Sequence, residues 1–244
     1  MWNRQSQSLF VMCLIGTILC VFAPEAAYSD KGNVGINFNV LSPQGEFRKN
    51  IDRNGYGFSL EGFYKPLPVP IKFGLHFGFS QYGKDERREY FSPDIPEVNV
   101  EVETSNNILL FLAAARLQKE IGWLSPYCEG LVGLQYLFTE SSVNDTGYNA
   151  ETPIATTKNF DDTAGTYGVG AGFMITLYSF ENTTKVRPID GKLKLDFNVR
   201  YMRGGKAEYL KKGSIIREDG RLIYDVQKSE TDMLYFQAGL VFSF

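Results

Sequence analysis

Large apolar side chains recur at every second position in eight separate stretches of the chain. Val34, Ile36, Phe38 and Val40 interleave with Gly35, Asn37 and Asn39, and Tyr56, Phe58, Leu60 and Tyr64 with Gly57, Ser59 and Glu61. Ile71, Phe73, Leu75, Phe77 and Phe79 alternate with Lys72, Gly74, His76, Gly78 and Ser80. Leu193, Leu195, Phe197, Val199 and Tyr201 alternate with Lys194, Asp196, Asn198 and Arg200. Further stretches place Val132, Leu134, Tyr136 and Phe138 opposite Glu129, Gly133 and Gln135, and the odd positions from Tyr167 to Leu177 opposite Gly168, Gly170 and Gly172. The chain ends on "QAGLVFSF", with Leu240, Phe242 and Phe244 in one row. In "NNILLFLAAARLQ" both faces are apolar. There Leu109, Phe111, Ala113, Ala115 and Leu117 are assigned outward, because Arg116 then points in, and the opposite parity stays open. A period of two is the strand signature, since a helix would scatter these residues over all its faces.

None of the eight apolar faces carries a charge, although charged residues are 22% of the chain. A soluble sandwich would turn its polar face to solvent and bury the apolar one. Here the polar face is rich in Gly, Asn, Ser and opposite charges, which suits the inside of a narrow barrel whose apolar face meets lipid. The pattern predicts an all-β fold, an eight-stranded antiparallel up-and-down transmembrane β-barrel. Connections alternate as such a barrel requires. Long loops are expected near 43–55, 84–97, 140–163 and 204–231, and short turns near 66–70, 119–125 and 181–191. Pro66, Pro68 and Pro70 sit in the first turn, where they spoil no ladder hydrogen bond. Within the last loop, Asp219-Gly220 separates two strand-like runs and predicts a hairpin standing above the membrane. The "VNVEVET" run at 98–104 is expected to continue its strand outward.

The N-terminus reads as a cleaved export signal over residues 1–29, followed by one barrel domain over 30–244. Arg4 precedes an apolar run from Leu9 to Ala23, too short for a membrane helix, and Ala27 and Ser29 are spaced for cleavage before Asp30. Cys13 and Cys20 leave with the signal, so Cys128 remains alone and no intramolecular disulfide forms. Cys128 is expected to point at lipid as a small apolar filler. The signal carries one base, Arg4, and one acid, Glu25, so the net charge of -3 is unchanged by cleavage and nucleic acid is not an expected partner.

The ending Gln237, Gly239, Phe242 and Phe244 resembles the C-terminal β-signal of bacterial outer-membrane proteins: a polar residue, a glycine two later, then aromatics at the third-last and last positions. The resemblance implies that the barrel assembly machinery reads this signal during biogenesis. The whole of 30–244 resembles small eight-stranded barrels of the OmpA/OmpX type, the outer membrane protein beta-barrel domain group. Unlike OmpA proper, it is not expected to carry a peptidoglycan-binding part after Phe244. The resemblance implies the outer membrane of a Gram-negative bacterium, both mature termini in the periplasm, and lipid and lipopolysaccharide as surroundings. A monomer is expected.

Glu61, Lys72, His76, Arg116, Glu129, Lys194, Asp196 and Arg200 all fall on inward positions. An eight-stranded barrel is just wide enough for side chains to fill it, and buried charges must be paired to be tolerated. These residues are expected to form a charge-paired plug, with Arg116 facing Glu129 across the turn around Trp123; the alternative is a gate whose pairs re-form to open a path. His76 is the only histidine, and a serine-dependent lipid-modifying site would need Ser59 or Ser80 within reach of it. No cofactor, metal or catalytic residue is expected. The function expected is a non-enzymatic surface barrel with long outer loops, for envelope integrity or surface interaction. The alternatives are a small passive solute channel and, behind it, a lipid-modifying enzyme.

Overall fold

The computed structural model describes residues 30–92, 95–145, 155–180, 191–218 and 221–244. The predicted export signal, and residues 181–190 of the third predicted turn, lie outside the described residues. The elements are β1 (Gly32–Pro43), a short helix α1 (Gly45–Asn50), β2 (Gly55–Tyr64), β3 (Ile71–Ser92), β4 (Ile95–Gln118), β5 (Leu124–Asp145), β6 (Ala155–Phe180), β7 (Gly191–Gly204), β8 (Lys206–Glu218), β9 (Arg221–Glu230) and β10 (Met233–Ser243). Strands β1 to β7 and β10 form a closed eight-stranded antiparallel barrel, and β8 with β9 forms a separate two-stranded sheet inserted between β7 and β10.

The barrel closes where its first and last strands meet. Gly32 and Phe244 exchange both backbone hydrogen bonds at 2.9 Å. A Cβ on Gly32 would lie 2.6 Å from the Phe244 ring, so the glycine lets that aromatic lie flat over the seam. At Gly239 a Cβ would strike the Ile36 carbonyl and the Asn37 side chain on β1. Closure leaves no free strand edge in the barrel, which is the condition for a sheet to sit in lipid.

Alternation settles the facing of every barrel strand. Val34, Phe58, Leu75, Phe111, Val132, Val169 and Phe197 are exposed on the outer wall, while Asn37, Ser59, His76, Arg116, Gln135 and Arg200 are buried in the lumen. The β4 parity is the one chosen on Arg116. Its second apolar row, Ile108, Leu110, Leu112 and Ala114, faces inward and is buried. Cys128 is half-buried on the outer parity of β5.

Two predicted loops are largely strand. Strands β3 and β4 stay paired out to Ser92 and Ile95, and β5 and β6 out to Val143 and Ala155, with 93–94 and 146–154 outside the described residues. The "VNVEVET" run belongs to β4, as expected. Beyond the lipid both faces of a ribbon meet water, so the ladder continues where the apolar period has stopped.

The predicted hairpin is present, with Glu218 paired to Arg221; Asp219 and Gly220 themselves lie outside the described residues. It does not stand free, which corrects the expectation. Ala207, Tyr209 and Leu210 are buried, and β8 contacts β3, β4, β5 and β6, so the hairpin lies across the barrel mouth. Gly205 donates to the Gly165 carbonyl at 2.8 Å, and the Glu208 amide to Asp162 at 2.8 Å. Helix α1, also unforeseen, completes the closure: Phe47 is fully buried, with Tyr209 and Tyr82 edge-on at 5.1 and 5.9 Å between ring centres. With Leu41, Ile108, Leu110, Leu137, Met202 and Met233 these side chains form an apolar core at the long-hairpin end of the lumen. That core is why β4 is apolar on both faces.

Phe47→Ala should release this lid. Emptying a buried Phe site costs roughly 3–5 kcal/mol in a core. Half of that multiplies the open population of the hairpin by about tenfold or more. Limited trypsin digestion in detergent reads it as faster cleavage at Lys211 and Lys212. An unchanged rate would show that α1 does not hold the hairpin down.

Candidate functional site

Inward positions of β2, β3, β4, β5 and β7 bring charge together at one level of the lumen. Arg116 and Glu129 are direct cross-strand partners in the β4–β5 register, and Glu61 and His76 in the β2–β3 register. Arg116 donates from Nε to Glu129 Oε2 at 2.9 Å and from Nη2 to both Glu61 oxygens at 3.2 Å. Arg200 donates from Nε to Glu129 Oε1 at 2.6 Å and from Nη2 to Glu61 Oε2 at 3.0 Å. Two guanidinium groups and two carboxylates thus alternate in a closed ring. Each carboxylate touches both arginines, the arrangement that best offsets desolvation of buried charge.

Aromatic rings complete the shell. The Arg116 guanidinium lies between Phe63 and Tyr127, 3.7 and 4.0 Å from their ring centres. Such contacts gain strength where water is excluded. Arg200 Nη1 meets His76 Nδ1 at 2.9 Å. A guanidinium has no acceptor, so Nδ1 must accept, and the imidazole there is neutral. The Tyr235 ring stands perpendicular to the imidazole at 5.9 Å.

Five of the eight predicted lumen residues, Glu61, His76, Arg116, Glu129 and Arg200, therefore meet in one cluster. The other three do not join it. Asp196 accepts from Tyr127 at 2.7 Å and from Asn198 at 3.0 Å, and Lys72 donates to Asn33 at 2.9 Å. Lys194 belongs to a second ring at the end of the barrel that carries the termini. There it and Lys192 each bridge Asp30 and Glu120. Burial would raise the Asp30 carboxyl, but its hydrogen bonds to Glu120, Lys194 and Lys192 hold it well below its ordinary value. Asp30 and Glu120 went unrecognised because they lie before β1 and in a turn, off the alternating pattern, and Lys192 because it precedes the first apolar residue of its strand, although it shares the inward parity of Lys194.

The serine–histidine relay is not assembled. The Ser80 hydroxyl donates to Asn39 at 2.7 Å, Ser59 accepts from Gln237, and His76 Nδ1 is taken by Arg200. Among the described residues no group of three or more His, Cys, Asp or Glu could hold a metal ion.

The C-terminal residues divide by face. Gln237 is buried in the lumen, and Gly239 sits against β1. Phe242 and Phe244 are exposed, stacked with ring centres 6.4 Å apart, and Phe180 approaches Phe242 at 6.3 Å. They form part of an aromatic belt at the terminal end, as suits a membrane interface.

A family model described as "Outer membrane protein beta-barrel domain" matches residues 13–242. Solved structures similar to the chain include Neisserial surface protein A, at 12% identity and a TM-score of 0.40, covering 87% of this chain and 96% of that one. Another is Ail, the attachment invasion locus protein of Yersinia pestis, at 13% identity and a TM-score of 0.39, covering 87% and 99%. A third is a major outer membrane protein from Thermus thermophilus, at 11% identity and a TM-score of 0.38, covering 87% and 99%. No curated protein matches the chain.

Proposed function

Because the chain belongs to the outer membrane protein beta-barrel domain family and forms a bacterial outer-membrane barrel, we propose that it is a non-enzymatic, non-conducting barrel that acts through its water-exposed long hairpins. The observation that carries this is the ring of Glu61, Arg116, Glu129 and Arg200, whose side chains are at most 1% exposed. A lumen filled by paired charge, under an apolar lid, has no water path for solutes to follow. The role left for the molecule is at its surface, in envelope integrity or in contacts made by the long hairpins.

Both mature termini lie in the periplasm and the long hairpins point outward, the arrangement even-stranded barrels of this kind adopt. Outer-membrane lipid and lipopolysaccharide surround the apolar wall. The barrel assembly machinery engages the ending Gln237, Gly239, Phe242 and Phe244. The barrel works as a monomer, and nucleic acid is not its partner.

Single-channel recording of refolded protein in a planar bilayer tests the reading. Silence is expected from the wild type, with insertion verified by protease protection. Steady openings altered by Arg116→Ala or Glu129→Ala would overturn it in favour of a small pore gated by its lumen charges.

A further inference from the structure

On the outer wall, a groove of about 440 Å³ runs from the apolar belt to the long-hairpin rim. Val132, Tyr167, Arg203, Glu230 and Asp232 line it, with glycines of β5, β6 and β7 as its floor. The register fixes its depth. Leu75, Ala113, Val132, Tyr167 and Arg203 are successive cross-strand partners on β3 to β7. Neighbouring strands lie about 4.8 Å apart and tilt by about 40°, so four steps lift this row by roughly 12 Å. Leu75 is near mid-wall and Arg203 is the last residue but one of β7. The apolar band of such barrels is about 25 Å tall, so a row climbing from its middle reaches the headgroup level at Arg203. Val132 and Tyr167, both exposed on the wall, place the lower end of the groove against acyl chains.

Charge at the upper end is the second observation. Arg203 and Glu230 are exposed and line the same groove, yet neither charged group has an ion-pair or hydrogen-bond partner among the described residues. Lys206, the register partner of Glu230, is not part of the groove. Asp232 accepts from the Gly204 amide at 3.1 Å and from the Tyr201 hydroxyl at 3.4 Å, which fixes a second carboxylate in the groove wall. A base and an acid that face one groove without meeting match a ligand carrying both signs. A guanidinium grips phosphate through paired N–H groups, and a primary ammonium offers three donors to carboxylates.

We propose that this groove binds a lipid with a phosphoethanolamine headgroup: its phosphate on Arg203, its ammonium on Glu230 and Asp232, and an acyl chain along Val132 and Tyr167. This deepens the surface reading and rests only on the wall lying in lipid, not on a closed lumen or on the outward direction of the hairpins. Phosphatidylglycerol has no ammonium for the carboxylates, and the methylated ammonium of phosphatidylcholine has no N–H to donate to them.

Native mass spectrometry of the refolded protein in detergent, titrated with dioleoyl phosphatidylethanolamine, phosphatidylcholine or phosphatidylglycerol, tests it. Phosphatidylethanolamine is expected to bind about tenfold more tightly than either of the others. Glu230→Gln should remove most of that preference while leaving phosphatidylglycerol no weaker. Arg203→Gln should weaken phosphatidylethanolamine and phosphatidylglycerol alike, by about tenfold. Both side chains are exposed, so neither change threatens the fold, and Lys228→Gln on the outer hairpin should alter nothing. Equal affinity for the three lipids overturns the proposal. So does tighter binding of phosphatidylcholine, which would assign the groove to a contact with the Tyr167 ring, or a preference that survives Glu230→Gln. Channel openings in the bilayer recording would leave these results standing, so the two readings fail separately.

Discussion

Glu129→Ala is expected to destabilise the folded barrel by about 3–5 kcal/mol, the cost of removing one partner from a buried ion pair. Glu129 accepts from the Nε of both Arg116 and Arg200, at 2.9 and 2.6 Å. Without it, two buried guanidinium groups share the single carboxylate of Glu61, and the ring holds an uncompensated positive charge. The companion variant sharpens the test. Glu129→Leu combined with Arg200→Met removes one acid and one base and leaves the Arg116–Glu61 pair at 3.2 Å intact. It should lie closer to wild type than Glu129→Ala does, because replacing a buried pair by apolar groups of similar volume is often neutral. Urea unfolding in lipid vesicles measures both. A Glu129→Ala barrel within about 1 kcal/mol of wild type would show that water reaches the ring and that the plug is not dry.

Leu75→Arg addresses the opposite face and should cost roughly 2–4 kcal/mol, the penalty for arginine at the bilayer midplane on a barrel's lipid side. Leu75 is the central member of the outward row Ile71, Phe73, Leu75, Phe77 and Phe79, and it is 71% exposed. Its register partners Gly62 and Ala113 are small and leave an added charge nothing to shelter behind. Gln81→Arg, on the same face of the same strand but past the end of the apolar row, should cost only about 0–1 kcal/mol. Folding yield and unfolding free energy in phosphatidylcholine vesicles separate the two. Equal effects would reject the placement of the hydrocarbon layer around Leu75.

The lumen ring was legible in part. Inward parity identified Arg116 and Glu129 as facing each other, because a hairpin register follows from the turn. It could not show that Arg200, five barrel strands from Glu61 in chain order, closes the ring from the other side, since that neighbourhood exists only once β10 joins β1 to β7. Lys194 and Lys72 carried the same signal of charge on an inward position, yet they sit at other levels of the barrel with other partners. Level depends on strand stagger, which alternation does not encode.

At the long-hairpin end the sequence was least informative. Phe47 is the one apolar residue of α1, and nothing in its neighbours marks it as the centre of a lid. The groove at Arg203 joins Val132 and Tyr167 to Glu230, and no local pattern links segments so far apart.

By itself the sequence determined eight strands, the faces of all but β4 and the aromatic ending, because the pleat sends successive side chains to opposite sides and lipid admits no charge on one of them. Only the tertiary structure decided which lumen charges meet, why β4 is apolar twice over, and what covers the mouth. Those are contacts across a closed ring, and closure is a property of the whole sheet rather than of any strand.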